Sequence, residues 1–155
     1  MNYLRKHVVK VLIIDAEKRC LLLFRSKSHP LYGGQIDFPG GLVNIHDSET
    51  ALEACVRETY EETGITLRAP VKKIFRHQVK TKEEDITYDF YINEVISLSD
   101  LAIILSNEHA GYQLVKINEL QEFNTCLTDN YIKYAINYIQ NNLISLKFVT
   151  QIGIN

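Results

Sequence analysis

The chain has 155 residues, 46% of them apolar, which suffices for one domain with a substantial hydrophobic core. Its formal net charge of −2 excludes the strongly basic surface expected of a protein that binds nucleic acid or anionic membranes. The sequence contains neither an apolar run of membrane-spanning length nor the apolar core of a secretory leader. It therefore predicts a single cytoplasmic domain over residues 1–155 without nucleic-acid or membrane partners, and leaves a homodimer open.

The three cysteines, Cys20, Cys55 and Cys126, are an odd number and lack the spacing of a metal site. Cys20 and Cys55 lie within apolar patterns typical of a protein core. This use of cysteine predicts reduced thiols, in agreement with a cytosolic protein.

The first forty residues predict strands that lead to a pair of glycines. Residues 7–15 and 20–24 are β-branched and apolar, which predicts a hairpin across the polar turn between them. Residues 25–35 are rich in Pro, Gly and small polar residues without periodicity, which predicts a loop. Residues 36–38 form a short extended piece that delivers the chain to Gly40 and Gly41.

A charged helix follows the glycines. Ser48 is a good N-cap, and Glu49 falls in the first turn, where the helix dipole stabilises an anion. The residues at inward spacings of three and four are Ala51, Leu52, Cys55, Val56 and Thr59. Gly64 stands where a left-handed C-cap is required. The pattern predicts a helix of about four turns.

Two strands follow, over residues 71–80 and 86–96, and the polar residues between them predict an exposed hairpin turn. Residues 97–109 fit either a short helix or an irregular loop.

The last part of the chain predicts a strand over residues 112–117, a helical turn around 118–122 and an amphipathic helix over 128–143. Mixed strands with one internal and one C-terminal helix predict an α/β fold, an α/β/α sandwich in which a mixed sheet carries a helix on each side.

Glutamates crowd the second half of the internal helix. Glu58 and Glu62 are four residues apart on one edge, and Glu61 lies beside Glu58. Arg57, four residues from both Glu53 and Glu61, supplies one positive charge but cannot reach every carboxylate equally. A hard divalent cation such as Mg²⁺ is one interpretation of the remaining negative charge. A solvated helix face with ion pairs explains the charges alone equally well.

The spacing of these residues resembles the Nudix box of the Nudix hydrolases, G-x5-E-x7-R-E-U-x-E-E-x-G-U, in which U is a bulky apolar residue. The matching residues are Phe38-Pro39-Gly40-Gly41, then Glu49, then Arg57-Glu58, Glu61-Glu62 and Gly64-Ile65. The predicted order of strands and helices is also similar to the fold of this family. There are two departures. Seven residues separate Gly41 from Glu49 where the pattern has five, and Thr59 occupies the first apolar position.

The resemblance implies hydrolysis, dependent on Mg²⁺ or Mn²⁺, of a diphosphate linked to another group, usually a nucleoside. It implies that Glu58, Glu61 and Glu62 hold the metal, with the carbonyl of Gly40 as a further ligand. Glu58, Glu61 and Arg57 are the catalytic candidates within the box, where Arg57 would hold the neighbouring glutamates. The structural positions of the box are Gly41, Gly64 and Glu49, the last of which would cap or orient the helix start.

Three candidates lie outside the helix. The segment E-H-A-G-Y-Q-L-V, beginning at Glu108, is similar to an E-H-x-x-Y-x-W-V segment of several nucleotide-hydrolysing members. This similarity implies Glu108 as a metal ligand or general base, although an ordinary loop acid fits as well. Arg25, at the end of the second strand, would meet a phosphate or a base. Phe38 would stack on a base or pack in the core.

The substrate class is predicted from the absence of residues that are typical of two subclasses of the family. Two subclasses of the family carry a proline or a tyrosine about fifteen residues past the box, where this chain has Lys80, Thr81 and Lys82. This favours nucleoside triphosphates, such as oxidised dGTP, which would be cleaved to the monophosphate and pyrophosphate. Dihydroneopterin triphosphate is an alternative substrate. A module that binds a nucleotide without hydrolysing it is the second class of function, although such modules usually lose box glutamates.

Overall fold

The computed structural model describes residues 4–28, 35–126 and 130–142. Its seven strands are β1 (Leu4–Asp15), β2 (Arg19–Arg25), β3 (Ile36–Asp37), β4 (Gly40–Leu42), β5 (Val71–Lys80), β6 (Glu84–Val95) and β7 (His109–Lys116). The α-helices are α1 (Ala51–Thr63) and α2 (Asn130–Asn142), and 3-10 segments cover Ile45–Asp47 and Ile117–Cys126.

The strands form one mixed sheet. Its main order is β3-β2-β1-β6-β5, while β4 pairs with β1 and β7 pairs with β2. β1 and β6 run parallel along all twelve residues of β1, whereas the other neighbouring strands are antiparallel. The predicted α/β class with a mixed sheet is therefore confirmed.

Each face of the sheet carries its own hydrophobic core. Alternate residues of a strand point to opposite faces, and β1 is apolar on both. Leu12 and Ile14 belong to the core that contains Ile136 of α2, whereas Val11 and Ile13 belong to the core that contains Cys55 of α1. The two helices therefore cover opposite faces, as predicted for an α/β/α sandwich.

Both cysteines assigned to the core are buried and unpaired, since Cys20 lies in the α2-side core and Cys55 in the α1-side core. The side chain of Cys126 lies outside the described residues.

Most predicted elements are present with shifted ends. The N-terminal hairpin and the strand at 71–80 are confirmed, and β6 begins two residues earlier than predicted. The segment after β6 is irregular up to β7, which begins three residues before the predicted start. The 3-10 segment extends well beyond the predicted turn at 118–122. Residues 29–34 of the predicted loop, and residues 128–129 and 143 of the predicted last helix, lie outside the described part.

The predicted start of the internal helix is wrong. α1 begins at Ala51 with Thr50 as N-cap: the Thr50 hydroxyl accepts from the backbone N–H of Glu53 at 3.1 Å, and the Glu53 carboxylate accepts from the N–H of Thr50 at 2.8 Å. This reciprocal pair satisfies two donors that a helix start leaves unpaired. Ser48 instead ends the preceding 3-10 turn at φ +56°. Glu49 therefore precedes the helix and does not lie in its first turn.

The buried face of α1 differs in part from the prediction, since it also includes Glu62 and Thr63. Cys55 and Thr59 are buried, but Leu52 is 44% exposed and Ala54 is buried in its place. Thr59, at an apolar position of the box pattern, donates its hydroxyl to the carbonyl of Cys55 at 2.7 Å. Its polar group is therefore satisfied within the helix, which explains why a threonine fits there.

A buried carboxylate ties β1, β5 and β6 together away from the glycine pair. Asp89 is fully buried; Arg76 donates to it at 2.7 and 2.9 Å, and His7 Nε2 lies 2.7 Å away. Lys73 Nζ lies 3.3 Å from the same carboxylate. Burial alone would raise the pKa of Asp89, but the hydrogen bonds from Arg76, His7 and Lys73 outweigh it and lower the pKa to about 2.

We expect Asp89→Asn to lower the free energy of unfolding at pH 7 by about 1.5–3 kcal/mol, because Arg76, His7 and Lys73 lose the charge of the buried carboxylate that they contact. The folded-state pKa lies below the unfolded one, so this stabilisation is complete above about pH 4 and disappears as the pH falls towards about 2. Urea unfolding of both proteins between pH 7 and pH 3 measures it. The exposed Asp47→Asn serves as control and should change little. A difference between Asp89→Asn and wild type that is independent of pH would contradict the prediction.

Candidate active site

The glycine pair of β4 brings the chain into contact with β1 and α1. Gly40 has φ +146°, and a Cβ at this position would lie 1.9 Å from the carbonyl oxygen of Val9. A Cβ on Gly41 would lie 2.4 Å from Cδ of Glu58. The backbone N–H of Gly40 donates to Glu62 at 3.0 Å. The absence of side chains here lets two carboxylates of α1 approach the strand.

Arg57 joins the loop before α1 to the helix. Its Nε and Nη2 donate to the Glu49 carboxylate at 2.6 and 3.1 Å, and Nη1 donates to Glu58 at 2.9 Å and to Glu61 at 3.2 Å. Nη2 also donates to the carbonyl of Leu42 at 3.0 Å. The planar guanidinium with its five donors is suited to such a role. Pairing of Arg57 with Glu53, which the spacing allowed, is not observed, because Glu53 caps α1.

Glu49 closes the inserted loop. Besides its pair with Arg57, its carboxylate accepts from the backbone N–H of Asn44 at 2.8 Å. The hydrogen bond from Arg57 lowers the pKa of Glu49 against the opposing effect of burial. The longer loop contains the 3-10 turn Ile45–Asp47, and Glu49 links this loop to α1 through Arg57. Glu49 therefore does not cap the helix, which Thr50 does.

Glu58 and Glu62 both line the same edge of α1, where Glu58 accepts from Arg57 at 2.9 Å and Glu62 from the N–H of Gly40 at 3.0 Å. Burial raises the pKa of Glu58, as do the charges of Glu62 and Glu61, while Arg57 opposes this rise. Glu62 is 7% exposed. Glu61 points outward, with a side chain 57% exposed. The structure thus brings two of the three box carboxylates, Glu58 and Glu62, to one buried edge.

This edge opens into a cavity of about 400 Å³, a size typical of small-molecule sites. Acidic side chains on its wall are Asp37, Glu58, Glu62 and Glu108, and basic ones are Lys6, Lys10 and Arg25. The ligand atoms of Glu62, Glu108 and His109 lie within 4.8 Å of one another. The cavity therefore carries carboxylates and cationic groups together.

The irregular segment before β7 is attached to the end of α1. The backbone N–H of Ile104 donates to the carbonyl of Thr63 at 2.8 Å, and that of Ser106 donates to the carbonyl of Glu62 at 3.0 Å. These bonds occupy carbonyls that a helix end leaves unpaired. They place Glu108 and His109 opposite Glu62.

A buried charge network forms another part of the cavity wall. Lys10, 4% exposed, donates to Asp37 at 2.7 Å, and Arg25 donates to the same carboxylate. Burial alone would raise the pKa of Asp37, but Lys10 and Arg25 hold it below its usual range. Arg25 thus lies at the cavity as expected, while Lys10 and Asp37 were missed. The sequence signal that could have identified this network is Lys10 itself, a charged residue within the apolar run of β1.

The assignment of Phe38 to substrate binding is contradicted. Phe38 is fully buried in the core beneath α2, so no face of its ring is free to stack on a base. Gly64 has the predicted role of C-cap: its φ is +72°, and its N–H donates to the carbonyl of Tyr60 at 2.8 Å.

The family model of the NUDIX domain matches residues 4–134. The chain therefore belongs to the Nudix family, as its box spacing indicated. The predicted enzyme class, a hydrolase of pyrophosphate bonds, is confirmed with it.

Solved structures agree with this assignment. The MutT protein from Methanosarcina mazei Go1 is 25% identical with a TM-score of 0.72, over 91% of this chain and 94% of that one. A Caenorhabditis elegans Ap4A hydrolase binary complex is 17% identical with a TM-score of 0.67, over 92% and 99%. The NUDIX domain of Shewanella oneidensis NrtR, complexed with ADP ribose, is 14% identical with a TM-score of 0.67, over 92% and 90%. The last two show a shared fold.

No curated protein matches the sequence. Neither α1 nor α2, the α-helices of the described residues, has the length and apolar character needed to span a bilayer.

Proposed function

We propose that the chain is a Mg²⁺-dependent pyrophosphohydrolase that cleaves a nucleoside triphosphate to the monophosphate and pyrophosphate. The observation that carries this proposal is the cavity, where the carboxylates of Glu58, Glu62 and Glu108 share a wall with Lys10 and Arg25. A polyphosphate alone would be repelled by the carboxylates. A polyphosphate with a divalent cation matches both kinds of charge.

The donor set fits such a cation. Glu58 and Glu62 offer carboxylate oxygens, the ligands that Mg²⁺ prefers, and both line the cavity. We assign Glu58 and Glu62 as metal-holding residues, with the Gly40 carbonyl as a further ligand, and propose that Glu61, whose side chain points outward, turns towards them when a metal binds. A bound Mg²⁺ would neutralise phosphate oxygens and lower the pKa of a coordinated water.

The remaining roles belong to side chains around this set. Arg57 orients Glu58 and Glu61 through its hydrogen bonds. Glu108, exposed on the cavity rim, is the proposed general base or an additional metal ligand. Lys10 and Arg25 would contact phosphate oxygens, because both reach the cavity from the strands opposite α1.

The choice of a nucleotide substrate draws support from the ligands named for structural relatives, Ap4A and ADP ribose. The subclasses of the family that hydrolyse ADP ribose or diadenosine polyphosphates carry a proline or a tyrosine past the box. This chain has Lys80, Thr81 and Lys82 there instead, which favours a triphosphate substrate over these two compounds. Tyr88 lies on the cavity wall and could offer a ring to a base.

The test is a panel of nucleoside triphosphates, dihydroneopterin triphosphate, dinucleotides and nucleotide sugars incubated with Mg²⁺. We expect pyrophosphate and a monophosphate from one triphosphate, and no products after EDTA treatment. Turnover that persists in EDTA would exclude the metal mechanism. Tight binding of a compound without cleavage would favour the second candidate, a nucleotide sensor, for which the complex of NrtR with ADP ribose is a precedent of binding.

We expect Arg57→Lys to lower kcat about 10- to 100-fold, the usual effect of losing a partner that orients a metal ligand. Lysine keeps the charge but cannot hold Glu49, Glu58 and Leu42 at once. Steady-state kinetics on the substrate identified by the panel measures the effect. The exposed Arg68→Lys is the matched control. Equal kcat for wild type and Arg57→Lys would show that the network has no positioning role.

A further inference from the structure

We propose that His109 binds the divalent cation of this cavity through a ring nitrogen, together with Glu62 and Glu108. This inference deepens the proposed function, which assigns only oxygen ligands. It makes the cavity a mixed nitrogen–oxygen site for a transition metal such as Mn²⁺ or Co²⁺, in addition to Mg²⁺.

The first support is the state of the imidazole. The His109 side chain is 4% exposed, yet neither ring nitrogen has a hydrogen-bond partner among the residues that the structure describes. Burying a polar group without a partner costs about 1–3 kcal/mol, so such groups usually have a ligand, ion or water nearby. His109 lines the cavity, and its Nε2 faces the Glu62 carboxylate.

The second support is the separation of the atoms. Nε2 of His109 lies 3.4 Å from Oε1 of Glu62, without the geometry of a hydrogen bond. Two ligands at about 2.1 Å from one ion are about 3.0 Å apart at a right angle and about 3.4 Å apart at a tetrahedral angle. The observed distance falls within this range. Glu108 completes a set whose ligand atoms lie within 4.8 Å of one another, and its exposed side chain is free to rotate inward.

The chemistry of the ligands then selects the metal. Mg²⁺ prefers oxygen ligands and keeps several waters, whereas imidazole suits transition metals. Because an imidazole ligand favours transition metals over Mg²⁺, we expect Mn²⁺ and Co²⁺ to bind more tightly than Mg²⁺, and Co²⁺ more tightly than Mn²⁺.

The experiment measures metal binding by the full chain without substrate. Pulsed EPR of bound Mn²⁺ should show coupling to a ¹⁴N nucleus in the wild type, and this coupling should vanish in His109→Gln. The dissociation constant for Mn²⁺ should rise at least about 10-fold in His109→Gln, the lower bound expected for losing a group that supports a metal. The exposed His46→Gln is the matched control and should keep both the coupling and the affinity.

Wild-type Mn²⁺ without nitrogen coupling would overturn the inference, as would equal affinities of wild type and His109→Gln. His109 would then only orient Glu62. If hydrolysis with Mg²⁺ is observed alongside either result, the proposed function stands while the inference fails. The wild-type spectrum decides the question even if His109→Gln does not fold.

Discussion

Glu62→Gln is expected to lower kcat by about 10²- to 10⁴-fold, the range seen when a group acting directly on the reaction is removed. The amide keeps the size of the side chain, and its oxygen can still accept from the N–H of Gly40. The substitution removes the negative charge of Glu62, a residue only 7% exposed, which would hold the cation. Steady-state kinetics measures the loss of turnover, and a Mg²⁺ titration measures the loss of metal affinity.

The fold should survive this change, since a buried carboxylate becomes a neutral group of similar shape. Thermal unfolding of the metal-free protein should show a midpoint equal to or above that of the wild type. Glu53→Gln is a matched control on the same helix: it lies outside the cavity, and glutamine also serves in a capping box. Loss of activity in both variants, or in neither, would contradict the assignment of Glu62.

Gly40→Ala is expected to lower the free energy of unfolding by about 3–5 kcal/mol, because backbone strain and a steric clash act together. The added Cβ would lie 1.9 Å from a backbone oxygen of β1, at φ +146°. Relief would require β4 to separate from β1, with which it pairs at Val8, Val9 and Lys10. Urea unfolding measures the loss.

The neighbouring Gly41→Ala should behave differently. Its Cβ would meet the end of the Glu58 side chain at 2.4 Å, and that side chain can rotate away. We expect a loss of stability below about 1 kcal/mol, typical of a tolerated substitution. Turnover should fall at least about 10-fold, since Glu58 is displaced. Similar stabilities for the two variants would show that the close approach of β4 is not maintained in solution.

The helical half of the site could be predicted from the sequence because a helix turns local spacing into geometry. Arg57, Glu58 and Glu62 are close in the chain, so their proximity in space follows from the period of the helix. Most of the strand half could not be predicted: Arg25 was expected at the site, but its shared partner Asp37 and the neighbouring Lys10 were not. Lys10, Asp37 and Arg25 come from three strands, and only the pairing of the sheet brings them together.

Two errors have local causes. Ser48 and Thr50 are both acceptable N-caps, and only the glutamate three residues after Thr50 identifies the capping box. Phe38 could have pointed to either side of the chain, since the direction of a side chain next to a short strand depends on how that strand pairs. β3 pairs with β2 in a register that leaves Phe38 in the core.

Because the segment before β7 is attached to the end of α1, the number of residues between this attachment and the start of β7 is constrained. Ile104 and Ser106 are held to the last carbonyls of the helix, and β7 begins at His109. Leu98, 1% exposed in the α1-side core, anchors the start of the same segment through its N–H, which donates to Asp15 at 3.2 Å. A single residue inserted between Ser106 and Glu108 would lengthen the turn that the His109 N–H closes on the Ser106 carbonyl at 3.2 Å, and so change which side chains face Glu62. The cavity wall is therefore expected to tolerate changes of sequence in this segment more readily than changes of its length.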